Sequence, residues 1–182
     1  MDVTERIEPV ENGEVALLVS EADEYVDTNT EVLNHLITED GLPGVYVTVN
    51  KPYDTVKDIL EERGVPTDRL FFVDAITRET GSEPTDAEDA VFIETPENLT
   101  DLSIAVRESV ESMETEHEFL FLDSLSTLLI YNEMDSVSMF AHFLTNKIRD
   151  WNVAGVMMSV EEEVDDRLIG RMSEFCDDVV HV

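Results

Sequence analysis

Basic residues and cysteine are scarce in this sequence, and each scarcity excludes a class of protein. Only 11 Lys+Arg stand against 43 Asp+Glu, so the formal net charge is −32. Such a charge argues against nucleic acid as a partner, because phosphates require basic surfaces. The single cysteine, Cys176, rules out an intrachain disulfide and is typical of a reducing cytoplasm. No apolar run approaches the roughly 18 residues that span a bilayer, so we expect no membrane insertion.

The acidic residues are spread along the chain instead of forming a tail, and 42% of all residues are hydrophobic. That apolar content is enough for a core and predicts a folded protein. In molar salt the Debye length is about 3 Å, which screens most of the repulsion between such charges. The composition resembles that of proteins from halophiles that accumulate salt, haloarchaea above all. This inference concerns habitat and solubility and leaves function open.

Short apolar runs alternate with amphipathic segments along the chain. The runs predict strands at 15–19, 45–49, 70–74, 91–93, 119–123, 153–160 and 179–182. Helical spacing predicts helices near 32–37 and at 55–63, 99–113, 137–151 and 168–175. The alternation predicts an α/β fold of three layers, a mainly parallel sheet with helices on both faces. We expect one domain over 14–182, preceded by a polar N-terminal arm over 1–13.

The strand Phe119–Asp123 has the form of a Walker B strand, four apolar residues followed by an acid. Such an acid is equally typical of a helix cap or turn when it stands alone. The stretch from Asp123 and Ser124 to Leu128, however, resembles the Asp-Ser-Leu-Ser/Thr stretch of RecA-like ATPases of the KaiC/GvpD group. Segments 44–49, 54–73 and 153–182 resemble further strands and helices of that group in the same order. The resemblance implies a RecA/P-loop-like fold, which in working members binds ATP and Mg²⁺.

The segment after the first strand departs from that group, whose members carry a Gly-x-x-x-x-Gly-Lys-Ser/Thr loop around the phosphates. This chain has neither glycine nor lysine there. Asp27 stands where the lysine would be and Thr28 where the hydroxyl residue would be. The segment carries four acids, Glu21, Asp23, Glu24 and Asp27. Like charges at about 4 Å repel by about 4 kcal/mol at an effective dielectric constant of 20, so this degenerate phosphate loop opposes ATP.

A second departure lies at the end of the second strand, where the group usually has a pair of glutamates. Here Asn50 and Lys51 occupy that place, and neither is a carboxylate base. Lys51 is a possible ion-pair partner for the acidic segment. The resemblance therefore implies a degenerate domain that has lost ATP hydrolysis, binds no cofactor, and acts in regulation or assembly through a protein partner or self-association.

Two other functions stay open at this point. One is an ATPase with a noncanonical phosphate loop, in which Lys51 or an arginine of a neighbouring subunit supplies the missing charge and ATP and Mg²⁺ are bound. The other is a receiver-like signalling domain, in which Glu21 and Asp23 form the acidic pair and Asp74 accepts a phosphoryl group. The receiver pattern also needs a late lysine, and none follows Lys147.

The remaining candidates favour structural roles. The four histidines are far apart and lack cysteine partners, so we expect no metal site. The acidic run 161–166 is expected to be a solvated loop, and Cys176 a buried apolar residue. The methionines, among them Met139, are expected to fill the core, and the helix over 137–151 to bury Phe143. The apolar run 128–131 is expected to be a buried helix, with a protein contact as the alternative.

Overall fold

The computed structural model describes residues 10–182, and within them seven strands form one parallel sheet. The strands are β1 Val15–Ser20, β2 Gly44–Thr48, β3 Leu70–Asp74, β4 Ala90–Phe92, β5 Phe119–Asp123, β6 Ala154–Val160 and β7 Asp178–His181. Their order across the sheet is β4-β3-β2-β5-β6-β1-β7. All carboxyl ends therefore lie along one edge of the sheet.

Six α-helices connect the strands. They are α1 Tyr25–Asn34, α2 Tyr53–Glu62, α3 Leu99–Ser112, α4 Leu125–Tyr131, α5 Met134–Trp151 and α6 Asp166–Phe175. A π-helical turn, His35–Glu39, extends α1, and a 3₁₀ turn, Thr67–Arg69, precedes β3.

The central strands are apolar throughout because helices cover both faces of the sheet. Successive residues of β1 show this: Leu17 belongs to the core on one face and Leu18 to the core on the other. Helices α1 and α2 pack on the face that contains Leu18, and α3 to α6 pack on the opposite face. The predicted three-layer α/β architecture with a mainly parallel sheet is confirmed.

The strand order excludes the receiver-like alternative. A flavodoxin-like sheet has the order 2-1-3-4-5, with the first strand between the second and third. Here β1 lies between β6 and β7, while β2 pairs with β3 and β5. The sequence alone indicates that strands and helices alternate but not which strands are neighbours, so both topologies fitted it.

Three expectations about single elements were wrong. Phe143 is 39% exposed and Met139 is 74% exposed, so neither belongs to the core. The run 128–131 is only partly buried, since Leu128 is inaccessible but Ile130 is 69% exposed.

Residues 1–9 of the predicted N-terminal arm lie outside the described residues. No helix in the described part of the chain is long and apolar enough to cross a membrane.

Candidate functional site

The candidate site lies where β1, β2 and β5 end at the carboxyl edge of the sheet. Strands β2 and β5 are neighbours in register, so Thr48 stands beside Asp123. Helix α1 begins four residues after β1 and lies over this edge on the same face as α2. In open parallel sheets, ligands bind in crevices at such an edge.

Two phenols cover the carboxylate of Asp123. The Tyr25 hydroxyl donates to Asp123 Oδ1 at 2.5 Å, and the Tyr46 hydroxyl donates to Asp123 Oδ2 at 2.5 Å. Tyr25 is the first residue of α1, and Tyr46 is the middle residue of β2. All three side chains are buried. Both carboxylate oxygens are thus bound by the protein itself.

Burial dominates the proton equilibria of this group. Loss of solvent raises the pKa of Asp123, while hydrogen bonds from the two phenols and the positive charge of Lys51 act in the opposite direction. Burial, and then the nearby Asp123 carboxylate, raise the pKa of Tyr25 and of Tyr46 well above the usual phenol value. The phenols therefore stay protonated and act as donors at neutral pH.

The acidic segment after β1 forms a short turn followed by the first turns of α1. Glu21, Asp23 and Glu24 are exposed in the turn, and Asp27 forms an ion pair with Arg63 of the segment that ends α2. The backbone N–H of Ala22 donates to a carboxylate oxygen of Glu162 at 3.1 Å. In a phosphate-binding loop such N–H groups point at the ligand. Here a carboxylate of the same chain accepts one of them.

The sequence resemblance predicts that Thr28 stands where the KaiC-like group has the hydroxyl residue that holds Mg²⁺. Its Oγ1 lies 3.2 Å from Ser20 Oγ, and both residues are buried. The hydroxyl is therefore turned into the interior between β1 and α1. Ser124 is also buried, and its Oγ accepts from the Thr127 N–H as the N-cap of α4. The cap role that the sequence left open for Asp123 thus belongs to its neighbour.

Asn50 and Lys51 both lie close to Asp123. The Thr48 hydroxyl donates to the Lys51 carbonyl oxygen at 2.6 Å, which holds the turn after β2. The Lys51 charge and then the Asn50 side chain favour the ionised Asp123 carboxylate, against the rise in its pKa that burial causes. Lys51 and Asp123 line a common cavity, while Arg63 forms the ion pair with Asp27 of the acidic segment.

A small cavity is enclosed by α1, α2 and the Asp123 group. Its volume is about 20 Å³, and Tyr25, Tyr46, Lys51 and Asp123 contribute to its lining. Pockets for small-molecule ligands usually measure about 300–1,000 Å³. This cavity is close to the size of one water molecule. The Asn29 Oδ1 atom, which belongs to a residue of its wall, is buried without a hydrogen-bond partner.

Asp74, the acid that ends β3, is fully buried and accepts four hydrogen bonds. Its Oδ1 accepts from the N–H groups of Ile76 and Thr77, and its Oδ2 accepts from the Tyr53 N–H and the Thr77 hydroxyl. It therefore anchors the start of α2 and the turn after β3. A phosphoacceptor would need an accessible oxygen, so this geometry also speaks against the receiver-like alternative.

The sequence identified Asp123 but missed the residues that bind it. Tyr25 follows a run of acidic residues and Tyr46 lies within an apolar strand, so the sequence pattern did not mark either of them as a ligand of Asp123. An aromatic residue with a hydroxyl at the start of α1 was the available signal, because a buried phenol needs a hydrogen-bond partner. In residues 10–182, no group of three or more His, Cys, Asp or Glu side chains is placed to hold a metal ion.

Many solved structures are similar to this chain, and two of them serve as examples. A KaiC-like protein from the archaeon Pyrococcus horikoshii superposes with a TM-score of 0.64 at 14% identity, covering 93% of this chain and 71% of its own. An uncharacterised protein from Pyrococcus horikoshii, solved in complex with an unknown peptide, gives a TM-score of 0.70 at 16% identity, covering 98% of this chain and 81% of its own. At these identities the likeness establishes the fold alone.

The parallel sheet and these neighbours show that the chain has a fold similar to that of KaiC-like proteins. By sequence, the chain belongs to a family of unknown function, DUF7504, whose profile matches residues 13–182. No curated protein matches the sequence.

Proposed function

We propose that this chain is a non-catalytic RecA/KaiC-like domain that acts in regulation or assembly through contact with another protein. The observation that carries the proposal is the pair of phenols on Asp123. They occupy both oxygens of the acid that, in the KaiC-like group, would serve Mg²⁺. The hydroxyls of Tyr25 and Tyr46 thus bind the carboxylate oxygens that a metal ion would otherwise use.

Charge supports the same proposal. The turn after β1 presents exposed carboxylates, and its Ala22 N–H already has the Glu162 carboxylate as acceptor. A triphosphate in this turn would meet negative charge where backbone donors and an ammonium group would otherwise bind it. The cavity beside Asp123, about 20 Å³, is far below the roughly 300–1,000 Å³ of pockets that bind small molecules.

The fold itself supports a role in protein contact. A domain without catalysis still presents a sheet with helices on both faces, and such helices offer surfaces for a partner protein. The peptide complex of the uncharacterised Pyrococcus horikoshii protein is a property of that protein, and it supports testing peptides here. The composition supports a cytoplasmic, haloarchaeal setting, so the tests below use concentrated KCl.

The direct test is isothermal titration of the chain with Mg-ATP in about 2 M KCl, a concentration at which surface charges are screened. We expect no binding heat and no phosphate release above buffer. An ATP-hydrolysing KaiC-like protein titrated in parallel is the positive control. Micromolar binding or measurable phosphate release would refute the proposal.

One observation keeps an ATPase with an unusual loop as a second candidate. Lys51 lines the same cavity as Asp123 and its charge favours the ionised carboxylate, so it is the candidate cation for a phosphate at this edge. If ATP does bind, the Lys51→Ala variant separates this candidate from nonspecific binding. Loss of binding in that variant would support a nucleotide site at this edge.

A further inference from the structure

Helix α5 carries two large apolar side chains that the fold leaves uncovered. Met139 is 74% exposed and Phe143 is 39% exposed. They are four residues apart and so lie on one face of the helix. The opposite face of α5 is buried in the core through Val137, Leu144 and Ile148.

These side chains line a groove between α3 and α5 with a volume of about 630 Å³. Leu99 and Ser103 form the α3 wall, and Met139, Phe140 and Phe143 form the α5 wall. A groove between two helices accepts the side-chain ridge of a third helix. Methionine is suited to such a contact because its flexible side chain adapts to different partners.

The charges around the groove select the kind of helix. Glu97 is the acidic residue among those that line it. At the other end, the Lys147 ammonium lies 5.9 Å from the centroid of the Phe143 ring. A second copy of the chain would bring another net charge of −32 to this surface, whereas a basic partner gains attraction.

We propose that the groove between α3 and α5 binds an amphipathic helix of a partner protein, with a polar face rich in Lys and Arg. The apolar residues of that helix contact Met139 and Phe143, and its basic residues face Glu97. This assignment rests on the protein-contact role in the proposed function and identifies the surface and the chemistry of the partner.

The test uses a dye-labelled synthetic peptide of about 18 residues, long enough to form a helix, with leucines on one face and Lys and Arg on the other. Fluorescence anisotropy of the peptide is followed as the full chain is added, in dilute buffer and in about 1 M KCl. The groove variant combines Met139→Glu with Phe143→Glu. The matched control combines Ile130→Glu with Ile104→Glu, which are 69% and 41% exposed and lie outside the groove.

We expect the wild-type chain to bind the peptide, the groove variant to bind at least about tenfold more weakly, and the control to stay within about twofold. Both variants add the same negative charge, so attraction between charges alone would not weaken either. A Met139→Ala, Phe143→Ala variant repeats the comparison without added charge. Circular dichroism melting curves establish that each variant is folded.

Equal weakening in the two Glu variants, or no binding by the wild-type chain, would overturn the assignment. A dimer mass in light scattering that the groove variant reduces to a monomer would also overturn it, because a second copy would then be the occupant. The ATP titration is independent of these results. Nucleotide binding would refute the non-catalytic role, whereas failure of the peptide would refute only the groove.

Discussion

At the scale of single residues, Asp123 depends on donors from two different layers of the fold. Tyr25 comes from a helix above the sheet and Tyr46 from a neighbouring strand. A buried carboxylate without donors costs several kcal/mol, so each phenol offsets part of the desolvation penalty. The group therefore ties α1 to the sheet through one acid.

Removal of the Tyr25 or the Tyr46 hydroxyl should lower the stability of the fold. We expect Tyr25→Phe and Tyr46→Phe each to lower the free energy of unfolding by about 1–3 kcal/mol, because each leaves a buried carboxylate oxygen without its donor. Urea unfolding in concentrated KCl measures the change. Tyr131→Phe removes the same atom from a partly exposed residue and should change stability by less than about 0.5 kcal/mol. Equal effects at all three positions would contradict the role given to Asp123.

Sequence reasoning found the acid and not its donors for a physical reason. Asp123 follows a continuous apolar strand, a pattern that is visible locally. The phenols come from positions 98 and 77 residues away in the chain, and only the topology brings them together. Their faces depend on where α1 begins and on the register of β2, neither of which the sequence pattern fixes.

At the scale of elements, the strands were the most predictable part of the fold. Burial on both faces makes the five inner strands, β1, β2, β3, β5 and β6, apolar runs that stand out between polar turns. Helix α4, Leu125–Tyr131, has seven residues and too few turns to show a period, so it was seen only as an apolar run. The apolar stripe of α5 is wider than the part of the helix that packs on the core. Phe143 lies in the uncovered part of that stripe, so the prediction that it is buried was wrong.

The packing of β2 against β5 gives a prediction at this scale. A Cβ atom at Gly44 would overlap the ring of Phe119 on the neighbouring strand. We expect Gly44→Ala to lower the free energy of unfolding by about 1–3 kcal/mol, because the ring or the backbone must move. Denaturant unfolding measures the loss.

Gly170 supplies the matched control for that substitution. It lies inside α6, and no heavy atom within 4 Å would meet a Cβ atom there. Gly170→Ala should raise stability by about 0.5–1 kcal/mol through helix propensity. The same chemical change thus has opposite signs at the two positions, and equal signs would show that the β2–β5 contact is looser than described.

At the scale of the whole molecule, the net charge of −32 sets the conditions in which the fold is stable. Mutual repulsion of exposed acids destabilises a compact state, and dissolved ions weaken it. The charge was fully predictable from composition. The position of the exposed apolar groove on this acidic surface was not predictable, because it depends on how α3 and α5 pack.

We expect Tm in about 2 M KCl to exceed Tm in dilute buffer by at least about 5 °C, as repulsion between carboxylates is screened. Differential scanning calorimetry over a KCl series measures the shift. Sucrose at matched osmolality is the control, because it favours compact states without screening charge. An unchanged Tm across the KCl series would remove the inference of a halophilic origin.

The lone thiol has a practical consequence. Burial raises the pKa of Cys176 to about 12, and the neighbouring Asp177 carboxylate acts in the same direction. The thiolate is the form that reacts with maleimides, so the raised pKa slows labelling of Cys176 at pH 7. A cysteine introduced in place of Met139 would therefore take up a dye or spin label almost alone. The native sequence can serve as the background for single-site labelling, with no need to remove its own cysteine first.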